Sequence, residues 1–186
     1  MRELALHILD VLENAIEAGA TRIEVSITED TARDRLTIVV ADNGRGMDED
    51  VVQRASDPFF TTRQTRHVGL GLPLLRAAAL RCHGELTIRS QPGAGTRLTV
   101  TLQRSHIDRP PLGDMPGTLL GALLSQRAFD LRFEHHIDGR VFAFDTVAMR
   151  QALQGVPFAH PAVRTWLHEF LTEGYAALHE RIEGRA

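Results

Sequence analysis

Apolar residues recur at Leu4, Ile8, Val11, Leu12 and Ala15, a spacing that collects them on one side of a helix over residues 3 to 18. The stripe beside them is polar and also at helical spacing: Glu3, His7, Asp10, Asn14 and Glu17. Gly19 is a natural stop. The period then changes. Arg22–Thr28 and Arg35–Ala41 read as strands bridged by the polar TEDTARD, and LTIVVA is apolar enough to lie centrally in a sheet. Met47 to Arg54 reads as a short helix and Leu72 to Cys82 as a clearer one, closed by His83-Gly84. Glu85–Ser90 and Thr96–Gln103 are strands joined by the turn QPGAG.

After Arg104 the texture shifts. SHIDRPPLGDMPG (105–117) is rich in Pro, Gly and Asp and reads as a linker. Only Phe59 and Phe60 are aromatic before it, whereas Phe129, Phe133, Phe142, Phe144, Phe158, Trp166, Phe170 and Tyr175 follow it, so residues 118–186 are expected to carry a core of their own. The pattern there predicts a helix (Thr118–Arg127), a hairpin (Leu131–Ile137 and Arg140–Asp145, turning at Asp138-Gly139), a short helix (Val147–Leu153) and a longer one (Pro161–Ile182). The expected organisation is a first domain over 1–104, a linker and a small α+β C-terminal domain over 118–186.

Composition narrows the class. The chain has 186 residues, 43% of them hydrophobic, and a formal charge of −3, as in an ordinary soluble globular protein. No run is long and apolar enough to cross a bilayer, and the amphipathic, acid-bearing start resembles no signal or transit peptide. Cys82 is the single cysteine, so no disulfide framework is expected and a reducing cytoplasm is the default setting. Every basic residue is arginine. A Walker-type lysine is therefore impossible, and any cation on a phosphate must be a guanidinium. No basic block interleaved with aromatics suggests a nucleic-acid surface.

Five short segments carry chemistry. Asn14 offers a neutral amide oxygen, a ligand that suits Mg²⁺ whose charge is already balanced by a triphosphate. Asp10, one turn earlier, is placed to accept a proton from a nucleophile attacking a γ-phosphate. Asp42 ends the buried strand, with Gly44, Gly46 and Met47 following in DNGRGM; a carboxylate there can accept the exocyclic amine of adenine, and the glycines let backbone approach a flat ligand. Thr62 and Arg63 end DPFFTTR, and Arg63 and Arg66 are the expected cations for the β- and γ-phosphates. Gly69, Leu70, Gly71 and Leu72 open a helix whose N-terminal end can face anionic oxygens. Thr96, after Gly93 and Gly95, could support Asp42 through a water. Each segment alone has a plain structural reading, as a solvated helix face, a turn or a hairpin.

In this order the segments resemble the GHKL superfamily of ATP-binding domains, whose members include type II topoisomerase ATPase subunits, the large heat-shock chaperone, histidine kinases and the mismatch-repair protein MutL. ENAIEAGA with Asn14 is similar to the family's N box, DNGRGM to its first glycine box, DPFFTTR to the F box of histidine kinases, GLGLPL to the second glycine box and GAGT to the third. The resemblance spans residues 9–96. It implies the Bergerat fold: an α+β, two-layer α/β sandwich with a mixed sheet, helices on one face and ATP under a mobile lid. It implies Mg²⁺ on Asn14, adenine on Asp42 and lid contacts from Gly69 and Gly71. Two departures bear on mechanism. Asp10 stands where hydrolytic members and anti-sigma serine kinases carry Glu, one methylene longer. The link from Arg63 to Gly69 is short, as in kinases.

The expected protein is a stand-alone histidine-kinase-like ATP-binding protein using ATP and Mg²⁺, with kinase or ATPase activity. The dimerising hairpin that carries a histidine kinase's phosphoacceptor is expected to be missing. His168-Glu169 and His179-Glu180 share one face of the last helix without the rest of a phosphoacceptor motif, and His135-His136 flank a strand. Three readings follow: phosphotransfer to a separate protein partner, a slow ATPase switch, or a non-enzymatic ATP sensor. Residues 118–186 are the candidate for partner binding or for a homodimer.

Overall fold

The computed structural model describes residues 3–55, 71–125 and 127–180. In chain order it holds helix α1 (Leu4–Glu17), strands β1 (Arg22–Asp30) and β2 (Arg35–Asp42), the short α2 (Glu49–Arg54), α3 (Gly71–Arg81), β3 (Glu85–Gln91), β4 (Gly95–Gln103) and α4 (Met115–Leu123). These are followed by β5 (Asp130–Ile137), β6 (Arg140–Asp145), α5 (Thr146–Ala152) and α6 (Pro161–His179). The strands form one mixed sheet in the order β3-β4-β2-β1-β5-β6. Only β1–β5 is parallel; every other neighbouring pair runs antiparallel.

Alternation along each strand explains the layering. Ile23, Val25 and Ile27 of β1, Leu36, Ile38 and Val40 of β2, and Leu98, Val100 and Leu102 of β4 are all buried on one face. Leu4, Ile8 and Leu12 of α1 and Leu75 and Ala79 of α3 join the same cluster from the helical layer. Glu24, Ser26 and Thr28 alternate with the buried β1 residues and belong to the other face. The two-layer α+β sandwich with a mixed sheet is therefore what the chain adopts.

The C-terminal aromatics do pack together. Phe133 stacks on Phe144 and lies beside Phe142 and Tyr175, while Phe170 reaches both Phe142 and Phe144. They do so on the same sheet, because β5 pairs with β1 from Arg22↔Asp130 to Glu29↔Ile137. The buried apolar residues from Leu4 to Leu178 form one cluster. The separate core expected for 118–186 is thus corrected: once β2 has taken one side of β1, the other side needs a partner, and β5 supplies it. Aromatic content marks which residues cluster, not which sheet they cluster on.

The stretch read as a linker is bound along α1. The Leu4 and Ala5 amides donate to the carbonyls of Pro111 and Leu112 at 3.0 and 2.8 Å. These bonds satisfy first-turn amides that the Glu3 side chain does not cap. Helix α4 starts inside this stretch, at Met115 rather than the expected Thr118. Asp114 caps it by accepting the Gly117 amide at 2.8 Å, and Pro116 sits in its first turn, where a missing N–H costs nothing. A run rich in Pro and Gly suggests a linker, but with the Asp114 cap the same residues open a helix.

Candidate functional site

Asp10, Asn14 and Ala18 lie four residues apart, along the outgoing half of α1 and its C-cap. At a rise of 1.5 Å per residue this row spans about 12 Å. Both of its ends are joined to other elements.

At the Asp10 end stands Gly71, the first residue of α3; a Cβ added there would lie 2.6 Å from the Asp10 Oδ2. The start of α3 therefore rests against the carboxylate, an arrangement its positive end favours. His7, one turn earlier, is 2% exposed. Burial pushes its imidazole below the ordinary value, opposed in part by a hydrogen bond with the Gly71 backbone. The reading that grouped His7 with the polar stripe is corrected: α3 closes over it, and the stripe becomes open to ligand or solvent only beyond it.

At the Ala18 end stands the DNGRGM loop. A Cβ on Gly44 would come within 2.9 Å of the Ala18 Cβ, and the Arg45 amide donates to the Ala18 carbonyl at 2.9 Å. Asp42, at the end of β2, is half-buried, and its Oδ1 accepts the Gly44 amide at 2.8 Å. Burial pushes this carboxyl above its usual range, against the lowering effect of the Gly44 and Thr96 backbone. No cation pairs with it among the described residues. Helix α1 thus joins Asp10 and Asn14 at one end to the Asp42 loop at the other.

The loop is held on its far side by the β3–β4 turn. The Gly93 amide donates to the Arg45 carbonyl at 2.7 Å, and the Met47 amide to the Ser90 Oγ at 2.9 Å. The Ser90 hydroxyl donates to the Gly95 carbonyl at 2.8 Å and lies 2.9 Å from the Thr96 hydroxyl. Gly46, at φ +67°, presents the side where a Cβ would stand to the Gln91 carbonyl; Gly95, at φ +82°, presents it to the Asp42 carbonyl. Close protein packing therefore already requires these glycines. Leu72 packs half-buried against the core.

Two residues that the sequence reading passed over do structural work here. The Asn43 Oδ1 accepts the amides of Thr21 and Arg22, both at 2.9 Å, and fastens the loop to the start of β1. Ser90 joins the loop, the β3–β4 turn and Thr96. Its signal was available: Leu86, Ile88 and Ser90 alternate onto the inner face of a strand, where a hydroxyl needs partners. Thr62, Arg63, Arg66, Gly69 and Leu70, with the rest of DPFFTTR, lie outside the described residues.

Known proteins bear on this arrangement. Residues 2–106 match the family described as histidine kinase-, DNA gyrase B-, and HSP90-like ATPase. The chain is 40% identical over 96 residues to the sensor protein kinase FleS of Pseudomonas aeruginosa, a match covering 51% of this chain and 23% of that protein. It is 34% identical over 95 residues to sporulation kinase E of Bacillus subtilis, covering 50% of this chain and 13% of that one. The chain thus spans a quarter or less of these curated relatives. Among solved structures, the N-terminal domain of a DNA repair protein shares the fold with a TM-score of 0.57 at 16% identity, over 77% of this chain and 52% of that one. No helix among the described residues is long and apolar enough to cross a membrane. With more than half its length matched, the chain belongs to the family of histidine kinase-, DNA gyrase B- and HSP90-like ATPases.

Proposed function

We propose that the α1 row and the Asp42 loop bind Mg-ATP, with adenine at Asp42 and the phosphates toward Asp10 and Gly71, and that the chain transfers the γ-phosphoryl group to a separate protein. The observation that carries this reading is the half-buried Asp42 carboxylate. Its Oδ1 accepts the Gly44 amide and no cation pairs with it among the described residues, so a hydrogen-bond donor on a flat ligand suits it. The donor set at the other end fits Mg²⁺: an amide oxygen at Asn14 and a carboxylate one turn before it, with no soft ligand in the row. Bound magnesium would neutralise phosphate charge. Asn14 would hold it, and Asp10 would orient and deprotonate the attacking hydroxyl or imidazole. Gly44, Gly46 and Met47 would line the base; Thr96 would support Asp42. Gly71 and Leu72, with Thr62, Arg63, Gly69 and Leu70, would complete the set around the phosphates. Kinases among the relatives support phosphotransfer; a cytoplasmic setting and a protein partner engaging residues 118–186 belong to the same proposal.

Titration calorimetry with Mg-ATP tests binding. Asp42→Asn loses a charge-assisted hydrogen bond and should weaken ATP by about 2 kcal/mol, roughly thirtyfold. Equal affinity in the variant would end the adenine assignment. Asp10→Asn should keep ATP binding and lose turnover; persistent turnover removes Asp10 as base. Incubation with γ-labelled ATP and cell extract separates phosphotransfer, which labels a protein, from a slow ATPase switch, which releases phosphate alone. The carboxylate at Asp10 is what keeps the second reading open. A chain that binds ATP and does neither is a nucleotide sensor.

A further inference from the structure

The sheet has two edges, and they differ. Strand β3 ends one side; it carries Glu85 and Arg89, and α2 lies against it. Strand β6 ends the other, and its centre is Val141-Phe142-Ala143-Phe144, with no lysine, proline or bulge to blunt it.

The hairpin geometry says which backbone groups of β6 are uncommitted. Its turn is two residues, Asp138 and Gly139, at φ +47° and +86°. The flanking pair Ile137 and Arg140 therefore exchange hydrogen bonds, and the bonded pairs alternate from there: His135 with Phe142, Phe133 with Phe144. The next residue in that series, Leu131, gives its amide to the Thr146 hydroxyl at 2.8 Å, as the alternation requires. Hence Val141, Ala143 and Asp145 turn their amides and carbonyls away from β5. No backbone bond from Val141 or Ala143 to a loop exists among the described residues. Val141 is 56% exposed and Ala143 is exposed. Trp166, 41% exposed, stacks on Phe170, which packs on Phe142 and Phe144.

We propose that β6 is a dimerisation edge: two copies of this chain pair antiparallel through β6 about a two-fold axis, joining both sheets. The inference rests on strand geometry and is independent of the nucleotide reading. A continuous sheet keeps both helical layers on one side, so even-numbered residues must face even-numbered ones. Centring the axis on Phe142 sets it opposite its own copy and puts Arg140 of each strand across from Phe144 of the other. Val141 and Ala143 then exchange backbone bonds across the axis. Each strand starts at Arg140 and ends at Asp145, so antiparallel pairing lays the cationic start of one beside the anionic end of the other. A parallel arrangement would stack like charges.

Sedimentation velocity of the full chain over a micromolar concentration series tests this. The unmodified chain should show reversible dimerisation. Ala143→Pro removes one outward amide and none that β5 uses, and should weaken the dimer by about tenfold or more. Val141→Lys places a charge on the edge and should do the same, deciding the matter if the proline variant does not fold by circular dichroism. Mg-ATP calorimetry on the same samples keeps this result separate from the nucleotide reading. A chain that stays monomeric at every concentration overturns the proposal, as does a dimer indifferent to the variant that folds. Capture of another protein's strand by a monomer overturns it too.

Discussion

Glu29 is a carboxylate held strongly in its charged form. It faces the fully buried His135 at 3.4 Å and Arg104 at 2.8 Å, and its side chain is 12% exposed. His135, then Arg104, against the cost of burial, hold its carboxyl down at about 2, from 4.5. A depressed folded-state value means stability that is present above 4.5 and disappears as the pH falls toward 2. Glu29→Gln should therefore cost on the order of 2–3 kcal/mol at neutral pH, and urea unfolding of variant and parent should converge as the buffer is taken from pH 5 to about pH 2. A constant gap over that range would mean the loss is one of packing. Ser90 gives a second residue-level expectation. Ser90→Ala strands the Met47 amide and the Thr96 hydroxyl and should lower stability by about 1–2 kcal/mol; on the proposed function it should also weaken ATP binding by way of the loop.

At the scale of elements, α6 shows why a helix can hold a residue that disfavours it. Gly174 lies inside this helix, where glycine costs about 1 kcal/mol relative to alanine. A Cβ there would overlap the Phe142 ring, which is hemmed in by Phe133, Phe144, Phe170 and Tyr175. Gly174→Ala should therefore lower the melting temperature despite its better propensity, with the companion change Phe142→Leu recovering part of the loss. Had propensity governed, the alanine variant would melt higher. Most strands and helices were legible because their apolar residues recur at a period of two or close to four, and the Asp138-Gly139 turn announced its hairpin. The partner of β5 was not legible. Pairing between residues a hundred positions apart leaves no local trace, and Val25 reads the same whether its neighbour is Phe133 or water. His7 misled for the same reason, since its polar type says nothing of α3 folding across it. Asp10, Asn14 and Asp42 stand out as candidates through motif order, whereas Ser90 and Asn43 act through backbone groups that no motif displays.

For the whole molecule, the decisive fact is that residues beyond 104 complete the layer begun by residues before it. They supply carbonyls to the first turn of α1, Met115 and Leu119 to the core, and a partner for β1. We propose, accordingly, that the 1–104 unit depends on 105–180 for its stability. The full chain should unfold in one cooperative step, and a chain ending at 104 should melt far lower or fail to stay in solution. An unchanged melting curve for the short chain would show that the 1–104 unit is self-sufficient. The family match covers residues 2–106, whereas the sheet and the buried cluster extend beyond them.

The parallel register of β1 and β5 also has a consequence in time. A ribosome adding roughly 5–20 residues per second delivers Ile137 some 5–20 s after Asp30. Throughout that interval the emerging polypeptide displays Ile23, Val25 and Ile27 on a strand whose second neighbour has not yet been synthesised. Slowing translation across codons 105–130 should therefore raise the insoluble fraction in the cell, while a finished chain refolded from urea is spared that wait.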